Sequence, residues 1–252
     1  MLEIASSRAG SIPGESLAGI AIFRELAPDV VAMLSQRCRW RRYGRCQTIL
    51  QSHDEGRDVY FVVRGRVCAV YYSASGQEVR FSDITAGEIF GELAAIDGES
   101  RSTDIVSMTD ALIAGMSADL FWEVLRQYEP VCTATLRRLT GIARAAVQRV
   151  VELSTLPVRS RVHSELLRLA STGAPRPNRT IAVIDPAPTH AEMASRIGTH
   201  REAVTRELNS LARANLIEKR RTALIIRDTG ALANMVQDAL LEEPRLTKRR
   251  AA

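Results

Sequence analysis

A glycine, an acid and an arginine–serine pair lie close together in the segment FGELAAIDGESRST, Phe90 to Thr103. Gly91 lets the backbone approach a ligand closely, and a helical turn that opens at Glu92 presents backbone N–H groups to an anion. Nine residues after Glu92, Arg101 brings a fork of donors suited to phosphate, and Ser102 adds a hydroxyl. An acid that accepts from sugar hydroxyls, beside donors for one phosphate, matches the needs of a cyclic nucleotide.

A second group of polar residues falls in THAEMASRIGTHREAVTRELNSL, Thr189 to Leu211. Thr189 followed three residues later by Glu192 is the pattern of a capping box, which predicts a helix start. Gly198 suits a tight turn, and Thr199 is predicted to cap a second helix. The pattern therefore predicts two short helices joined by a glycine turn.

The second predicted helix carries polar side chains over its first two turns. Arginine can form two hydrogen bonds to guanine O6 and N7, and glutamate can accept one from cytosine N4. A helix of this kind after a tight turn suits the major groove of DNA, although a solvated charge is the alternative for each side chain. The predicted DNA-binding residues are Thr199, Arg201, Glu202, Thr205 and Arg206, and the predicted buried face is Met193, Ile197, Val204, Leu208 and Leu211.

The first motif must be positioned by the segment around it. From about Thr48 to Ala114 the sequence predicts short strands. The segments VYFVVRG, RVCAVYYS, QEVRFSDI and ALIAGMS are rich in β-branched and aromatic residues. Turn-forming sequences such as DEGRD and TAGE separate them. Short strands at this spacing predict an all-β barrel or roll.

A long helix is predicted next, of about 27 residues or roughly 40 Å, with Pro157 after it as a hinge. Small or apolar residues recur along it at alternating gaps of four and three, which is the spacing of a heptad seam. The helix could pack on its own domain, but its length and the small Ala143 and Ala146 favour a dimer coiled coil. The seam is Cys132, Leu136, Leu139, Ala143, Ala146, Val150 and Leu153.

Charge is distributed unevenly in a chain of 252 residues with a formal net charge of +5. Residues 1–157 hold 17 Lys and Arg against 19 Asp and Glu, whereas residues 158–252 hold 17 against 10. A basic C-terminal part favours a polyanionic partner. No apolar run approaches the roughly 20 residues of a membrane-spanning helix, and no signal peptide is recognisable, so we expect a cytoplasmic protein.

The cysteines give no sign of a metal site or an iron–sulfur cluster. They stand alone, without a CxxC pair or a zinc-finger spacing. We therefore expect free thiols and no metal cofactor. The four positions are Cys38, Cys46, Cys68 and Cys132.

Both motifs resemble parts of one family. Phe90–Thr103 resembles the phosphate-binding cassette of cyclic-nucleotide-binding domains, and Thr189–Leu211 is similar to the winged helix-turn-helix of the catabolite activator (cyclic-AMP receptor) protein family, in the CRP/FNR superfamily. The resemblance covers about 200 of the 252 residues. It implies an α+β chain with a cyclic-nucleotide-binding β-roll of the jelly-roll type, a long dimerisation helix and a C-terminal winged helix-turn-helix. The expected parts are a roll at 18–128, the helix and hinge at 129–157, the DNA-binding domain at 158–230, and a helix with a basic tail at 231–252.

By that resemblance Glu92 would bind the ribose 2′-OH, and Arg101 and Ser102 the cyclic phosphate. Gly91 and the amide of Leu93 would line the site. The family reads the adenine edge with a Thr-Ser pair midway along the dimer helix, and LTGIARAAVQ lacks such a pair. The nearby polar candidates for a base contact are Thr140, Arg144 and Gln148.

The family's base-reading triad, arginine and glutamate followed four residues later by arginine, is matched by Arg201, Glu202 and Arg206. Each half-site in DNA would then resemble TGTGA. His190 stands where the family often has a basic phosphate-contacting residue. The wing would be Glu218–Ile226, and its basic residues Lys219, Arg220 and Arg221 would face phosphate.

The expected function is that of a homodimeric transcription regulator that binds a two-fold symmetric site in double-stranded DNA. A cyclic nucleotide, with cyclic AMP slightly favoured over cyclic GMP, would control it, and RNA polymerase would be a further partner. The same-family alternative responds to redox state or haem, or needs no ligand. Other classes are an enzyme or its regulatory subunit, for which no catalytic motif remains, and a nucleoid-type binder.

Overall fold

The structure of the protein is a computed structural model that describes residues 15–73, 78–171 and 180–241. The chain divides into two units, Met1–Ala143 and Arg144–Ala252, and the division falls inside one long helix. Each unit has hydrophobic clusters of its own. Across the described ranges no helix has the length and apolarity that crossing a membrane requires.

The first unit is a roll of two antiparallel four-stranded sheets. One sheet has the strand order β1-β8-β3-β6 and the other β2-β7-β4-β5. The strands are β1 (Arg39–Tyr43), β2 (Thr48–Leu50), β3 (Val59–Arg64), β4 (Arg66–Tyr72), β5 (Glu78–Thr85), β6 (Ile89–Phe90), β7 (Asp104–Ser107) and β8 (Ala111–Met116).

The roll forms because its central strands bury apolar side chains. All six residues of β8 are buried, as are Val59, Phe61 and Val62 of β3. Gly65 joins β3 to β4 with a φ of +86°, and a Cβ there would lie 2.3 Å from the carbonyl oxygen of Asp110. The turn therefore requires glycine, both for its left-handed backbone and for space.

The four predicted strand segments are confirmed as β3, β4, β5 and β8. The predicted start of the strand region at Thr48 is wrong, because β1 lies before it and pairs with β8 from Arg39↔Gly115 to Tyr43↔Ala111. Strand β1 reads RWRRY and buries none of its residues completely. It therefore lacks the apolar pattern on which a sequence-based assignment depends.

Four α-helices lie between residues 28 and 155. They are α1 (Pro28–Gln36), α2 (Glu92–Asp97), α3 (Ala118–Gln127) and α4 (Glu129–Thr155), after two short 3-10 turns at Leu17–Gly19 and Ala21–Phe23. Ser117 caps α3 by accepting from the amide of Leu120. Helix α4 has the expected 27 residues, and Pro157 lies just beyond its end.

The second unit continues with α5 (Val158–Ser171), α6 (His190–Ile197), α7 (Arg201–Arg213) and α8 (Thr229–Leu241). A small antiparallel sheet has the order β10-β11-β9, formed by β9 (Ala182–Ile184), β10 (Ile217–Lys219) and β11 (Leu224–Ile226). The hairpin of β10 and β11 is the predicted wing. The predicted basic tail at 242–252 lies outside the described residues.

Candidate functional site

A cavity of about 410 Å³ opens in the first unit. Its polar lining includes Glu88, Glu92, Arg101, Ser102 and Arg138, and its apolar lining includes Phe81, Leu93 and Ile142. The structure thus brings Gly91, Glu92, Leu93, Arg101 and Ser102 together around one space. Thr140 and Arg144 are not among the lining residues, and the Thr140 hydroxyl donates to the carbonyl oxygen of Leu136.

Gly91 shapes the floor of this cavity. It adopts a φ of +81° and stands immediately before α2, so the helix begins at Glu92 as predicted. A Cβ at position 91 would lie 2.8 Å from Nη1 of Arg101 and 3.0 Å from the carbonyl oxygen of Asp58. Only glycine leaves room for the arginine at this position.

Arg101 is a buried cation with 3% of its surface exposed. Nη1 donates to the carbonyl oxygen of Gly91 at 2.8 Å, and Nη2 donates to that of Asp58 at 2.7 Å. The buried Nε has no hydrogen-bond partner, and no carboxylate of the described residues forms an ion pair with Arg101. Burial lowers the pKa of the guanidinium from its ordinary value. The carboxylates of Asp54, Asp58 and Glu92 act on this cation only from beyond ion-pair distance. A buried charge that no carboxylate contacts directly favours an anion nearby.

Glu92 is also buried, with 3% of its surface exposed, and it has a partner that sequence reasoning missed. Nε of Arg138 in α4 donates to Oε1 of Glu92 at 3.0 Å, and Nη2 donates to the carbonyl oxygen of Ile89 at 2.5 Å. Nη1 of Arg138 lies 3.5 Å from Oε1 of Glu88. The sequence indicates only that Arg138 is a basic residue between two seam positions of α4, which does not predict a contact with Glu92.

Two helices and a glycine turn form in the second unit as predicted. Thr189 and Glu192 make both bonds of a capping box at the start of α6, and Gly198 ends this helix with a φ of +61°. The prediction that Thr199 caps the next helix is wrong. His200 is the residue before α7 and makes no side-chain cap, while the amide of Thr199 donates back to the carbonyl oxygen of Ala194 and so belongs to the turn.

Helix α7 separates an apolar face from a charged one. Val204, Leu208 and Leu211 are buried with Met193 and Ile197 of α6, as the sequence predicts. Arg201, Glu202 and Arg206 are exposed, and Thr205 is half-buried. The wing adds exposed Lys219, Arg220 and Arg221, of which Arg220 donates from Nε to Glu218 at 3.2 Å.

His190 links three elements of this domain. Its Nδ1 lies 2.7 Å from Oγ1 of Thr205 in α7, and its Nε2 lies 2.9 Å from Nζ of Lys219 at the end of β10. The Thr205 hydroxyl lies 2.9 Å from the carbonyl oxygen of Arg201. Burial, followed by the charges of Lys219 and Arg201, lowers the pKa of His190 below its ordinary value of 6.5.

Two further contacts hold the helices of this domain in place. Nε2 of buried His163 in α5 lies 2.7 Å from Oε1 of Glu207 in α7. Nη1 of Arg161 donates to the carbonyl oxygen of Ile197 at 2.7 Å, next to the glycine turn. Neither contact follows from the sequence motifs. Within the described parts of the chain, no three His, Cys, Asp or Glu side chains are grouped so that they could hold a metal ion.

Comparison with known proteins agrees with this arrangement. Residues 40–128 match the model of the cyclic nucleotide-binding domain, and residues 160–235 match that of the Crp-like helix-turn-helix domain. The chain is 27% identical over 214 residues to the cyclic AMP receptor protein of Thermus thermophilus, covering 85% of this chain and 95% of that protein. It is 24% identical over 219 residues to the CRP-like cAMP-activated global transcriptional regulator of Mycobacterium tuberculosis, covering 87% and 97%.

Solved structures are similar as well. A CRP-family transcriptional regulator from Thermus thermophilus is 25% identical with a TM-score of 0.63, covering 79% of this chain and 98% of that one. FixK2 from Bradyrhizobium japonicum shares the fold with a TM-score of 0.67 at 18% identity. The match covers 78% of this chain and 96% of FixK2.

A cyclic-nucleotide-binding domain followed by a helix-turn-helix domain defines a DNA-binding transcription regulator rather than an enzyme. The chain belongs to the catabolite activator (cyclic-AMP receptor) protein family of the CRP/FNR superfamily.

Proposed function

We propose that the protein is a homodimer whose affinity for a two-fold symmetric DNA site is raised by a cyclic nucleotide bound in the cavity of the roll. The observation that carries the proposal is Arg101, a buried cation that lines the cavity and forms no ion pair with a carboxylate of the described residues. A ligand phosphate would supply the missing negative charge.

The ligand's polar groups find complementary partners in the cavity. Ser102 and the free Nε of Arg101 are donors for one phosphate, and the start of α2 adds backbone amides. Glu92 accepts a hydrogen bond from Arg138 in this structure and would also accept one from a ribose hydroxyl. Arg138 would therefore be a further contact residue, from α4.

The base would meet an apolar part of the cavity. Phe81, Leu93 and Ile142 line it, and each has at least 40% of its surface exposed. Apolar and aromatic side chains bind a base by stacking and contact, which discriminates weakly between purines. Cyclic AMP is the favoured effector because the relatives' names record it, and cyclic GMP is expected to bind as well.

Dimerisation is supported by apolar side chains exposed along α4. Leu136, Val147 and Val150 lie on one side of the helix and have 58%, 66% and 63% of their surface exposed. Exposed apolar stripes of this kind mark interaction surfaces. A second copy of the same helix, related by a two-fold axis, would cover them.

The DNA contacts proposed for the dimer are base contacts by Arg201, Glu202 and Arg206 and backbone contacts by the wing. A dimer of such domains would bind two half-sites about one helical turn apart. Because the family regulates transcription, RNA polymerase is the proposed further partner at the promoter.

Calorimetric titration with cyclic AMP and with cyclic GMP, followed by DNA binding measured with and without each, tests the proposal. Saturable binding of one nucleotide together with increased DNA affinity supports it. The alternative is a regulator that needs no nucleotide, and the carbonyl bonds of Arg101 favour it because they occupy two of the guanidinium's donor groups. Unchanged DNA affinity with no bound nucleotide at millimolar concentration would contradict the proposal.

A further inference from the structure

The contacts of His190 fix the direction of each hydrogen bond around it. The ammonium of Lys219 can only donate, so Nε2 of His190 must accept across the 2.9 Å that separates them. The single proton of a neutral imidazole then lies on Nδ1 and is donated to Thr205 at 2.7 Å. The Thr205 hydroxyl donates in turn to the carbonyl oxygen of Arg201. All three bonds are satisfied only when His190 is neutral.

We propose that His190 and Lys219 form one phosphate-binding pair on the DNA-binding face and that His190 takes up a proton at Nε2 when DNA binds. The proposed protonation rests on the proposed DNA contacts of this domain, and it adds a chemical role for His190, which stands where the family often has a basic phosphate-contacting residue.

A proton on Nε2 of His190 is incompatible with the hydrogen bond that Nε2 accepts from Lys219 in the free protein. When Nε2 carries a proton, two donors face each other at 2.9 Å and repel, so the contact between His190 and Lys219 separates. A phosphate oxygen between them can accept from both, and its negative charge compensates both cations. The proton comes from solvent, and no other bond to His190 needs to change, because Nδ1 continues to donate to Thr205.

The surroundings of His190 favour the neutral form until an anion arrives. Helix α7 contributes Thr205 and the cation Arg201, and strand β10 contributes the cation Lys219. Burial and, after it, these charges lower the pKa of His190 below 6.5 in the free protein. A DNA phosphate reverses the sign of the local charge, so the pKa of His190 rises in the complex.

The direction of the pH dependence follows from linkage. Between the lower pKa of the free protein and the higher pKa of the complex, binding takes up a proton, so DNA affinity increases as pH falls. One proton per protomer gives up to about tenfold in affinity per pH unit, and two protomers give up to about a hundredfold. Above the pKa of the complex His190 is neutral with and without DNA, so it no longer makes the affinity depend on pH.

The experiment uses the full-length protein and a fluorescent duplex selected from random DNA by this protein. Affinity is measured by anisotropy between about pH 5 and about pH 8 at constant salt, with and without cyclic AMP. Calorimetry in two buffers with different ionisation enthalpies counts the protons. We expect uptake of about one proton per protomer for the wild type and none for His190→Gln.

Two further variants keep the result unambiguous. His200→Gln changes the histidine just before α7, which makes no cap bond, and should keep the full pH dependence. Lys219→Met keeps His190 but removes one repelling charge, so its pH dependence should move to higher pH. Thermal unfolding confirms that each variant is folded.

A wild type that binds the selected duplex without proton uptake would overturn the inference, as would a pH dependence that persists in His190→Gln or is lost in His200→Gln. Failure to select any DNA sequence would instead contradict the proposed function.

Discussion

Nε of Arg138 lies 3.0 Å from Oε1 of Glu92, and this contact joins the long helix α4 to the first residue of α2. Both side chains line the cavity, and the Glu92 side chain is only 4% exposed. A ribose hydroxyl that binds Glu92 must therefore share the carboxylate with Arg138 or displace it. The ligand would in this way act on a helix that continues into the second unit.

Replacing Arg138 by methionine should destabilise the protein, because it leaves a buried carboxylate without its partner. We expect the free energy of unfolding to fall by about 1–3 kcal/mol, measured by urea denaturation. Arg137→Met is the matched control, since Arg137 is the exposed neighbour on the same helix and should change stability little. Equal decreases in the free energy of unfolding for the two variants would show that the contact with Glu92 does not stabilise the protein.

Replacing Arg101 by alanine should abolish the nucleotide response while the roll stays folded. The change removes the cation expected to pair with phosphate, and charged hydrogen bonds of this kind contribute about 1.5–3 kcal/mol each, so affinity should fall at least about tenfold. Calorimetric titration with cyclic AMP measures the loss. Arg126→Ala, an exposed arginine of the same unit outside the cavity, should bind as the wild type does. A persistent response in Arg101→Ala would contradict the phosphate assignment.

Introducing a charge at Ala143 should weaken the proposed dimer, because Ala143 lies on the heptad seam of α4. Sedimentation of Ala143→Glu should show monomer at micromolar concentrations where the wild type is dimeric. Ala145→Glu places the same charge on the opposite side of the helix, at a residue that is also exposed. It should remain dimeric. A monomeric wild type, or the same shift in both variants, would be incompatible with this seam.

Arg206 and Arg220 should contribute differently to DNA binding. Arg206→Ala removes a proposed base contact and should cost about 1–3 kcal/mol with relaxed selectivity at one base pair. Arg220→Ala removes a proposed phosphate contact. It should weaken binding to all DNA sequences similarly and reduce the salt dependence of the affinity. The effects of the two substitutions are distinguished by measuring affinity for the selected site and for single-base variants of that site at several salt concentrations. Uniform weakening by both substitutions would argue against base reading by Arg206.

The local motifs of both units could be predicted because each depends on neighbours in sequence. Gly91, Glu92 and Arg101 lie within one short segment, and the capping box of Thr189 and Glu192 spans a single helical turn. Their residue types fix the local backbone and the chemistry together. The same holds for the strands with buried apolar residues.

Contacts between distant segments could not be predicted in this way. Arg138 meets Glu92 across 46 positions of the chain, and His190 meets Lys219 across 29. Both contacts depend on how the elements pack, which no single segment encodes. Thr199 fails as a cap for a related reason: the turn after Gly198 extends one residue further, so the helix begins after His200.

The separate hydrophobic clusters of the two units have a consequence for cooperativity. Because the buried apolar residues of each unit form a hydrophobic core within that unit, each unit has the means to melt as a transition of its own. A calorimetric scan is then expected to depart from a single two-state peak. A ligand of the roll would raise the temperature of one transition, and a ligand of the DNA-binding domain that of the other. Heat denaturation would thus report which half of the molecule a compound has bound, before anything is known of its effect on transcription.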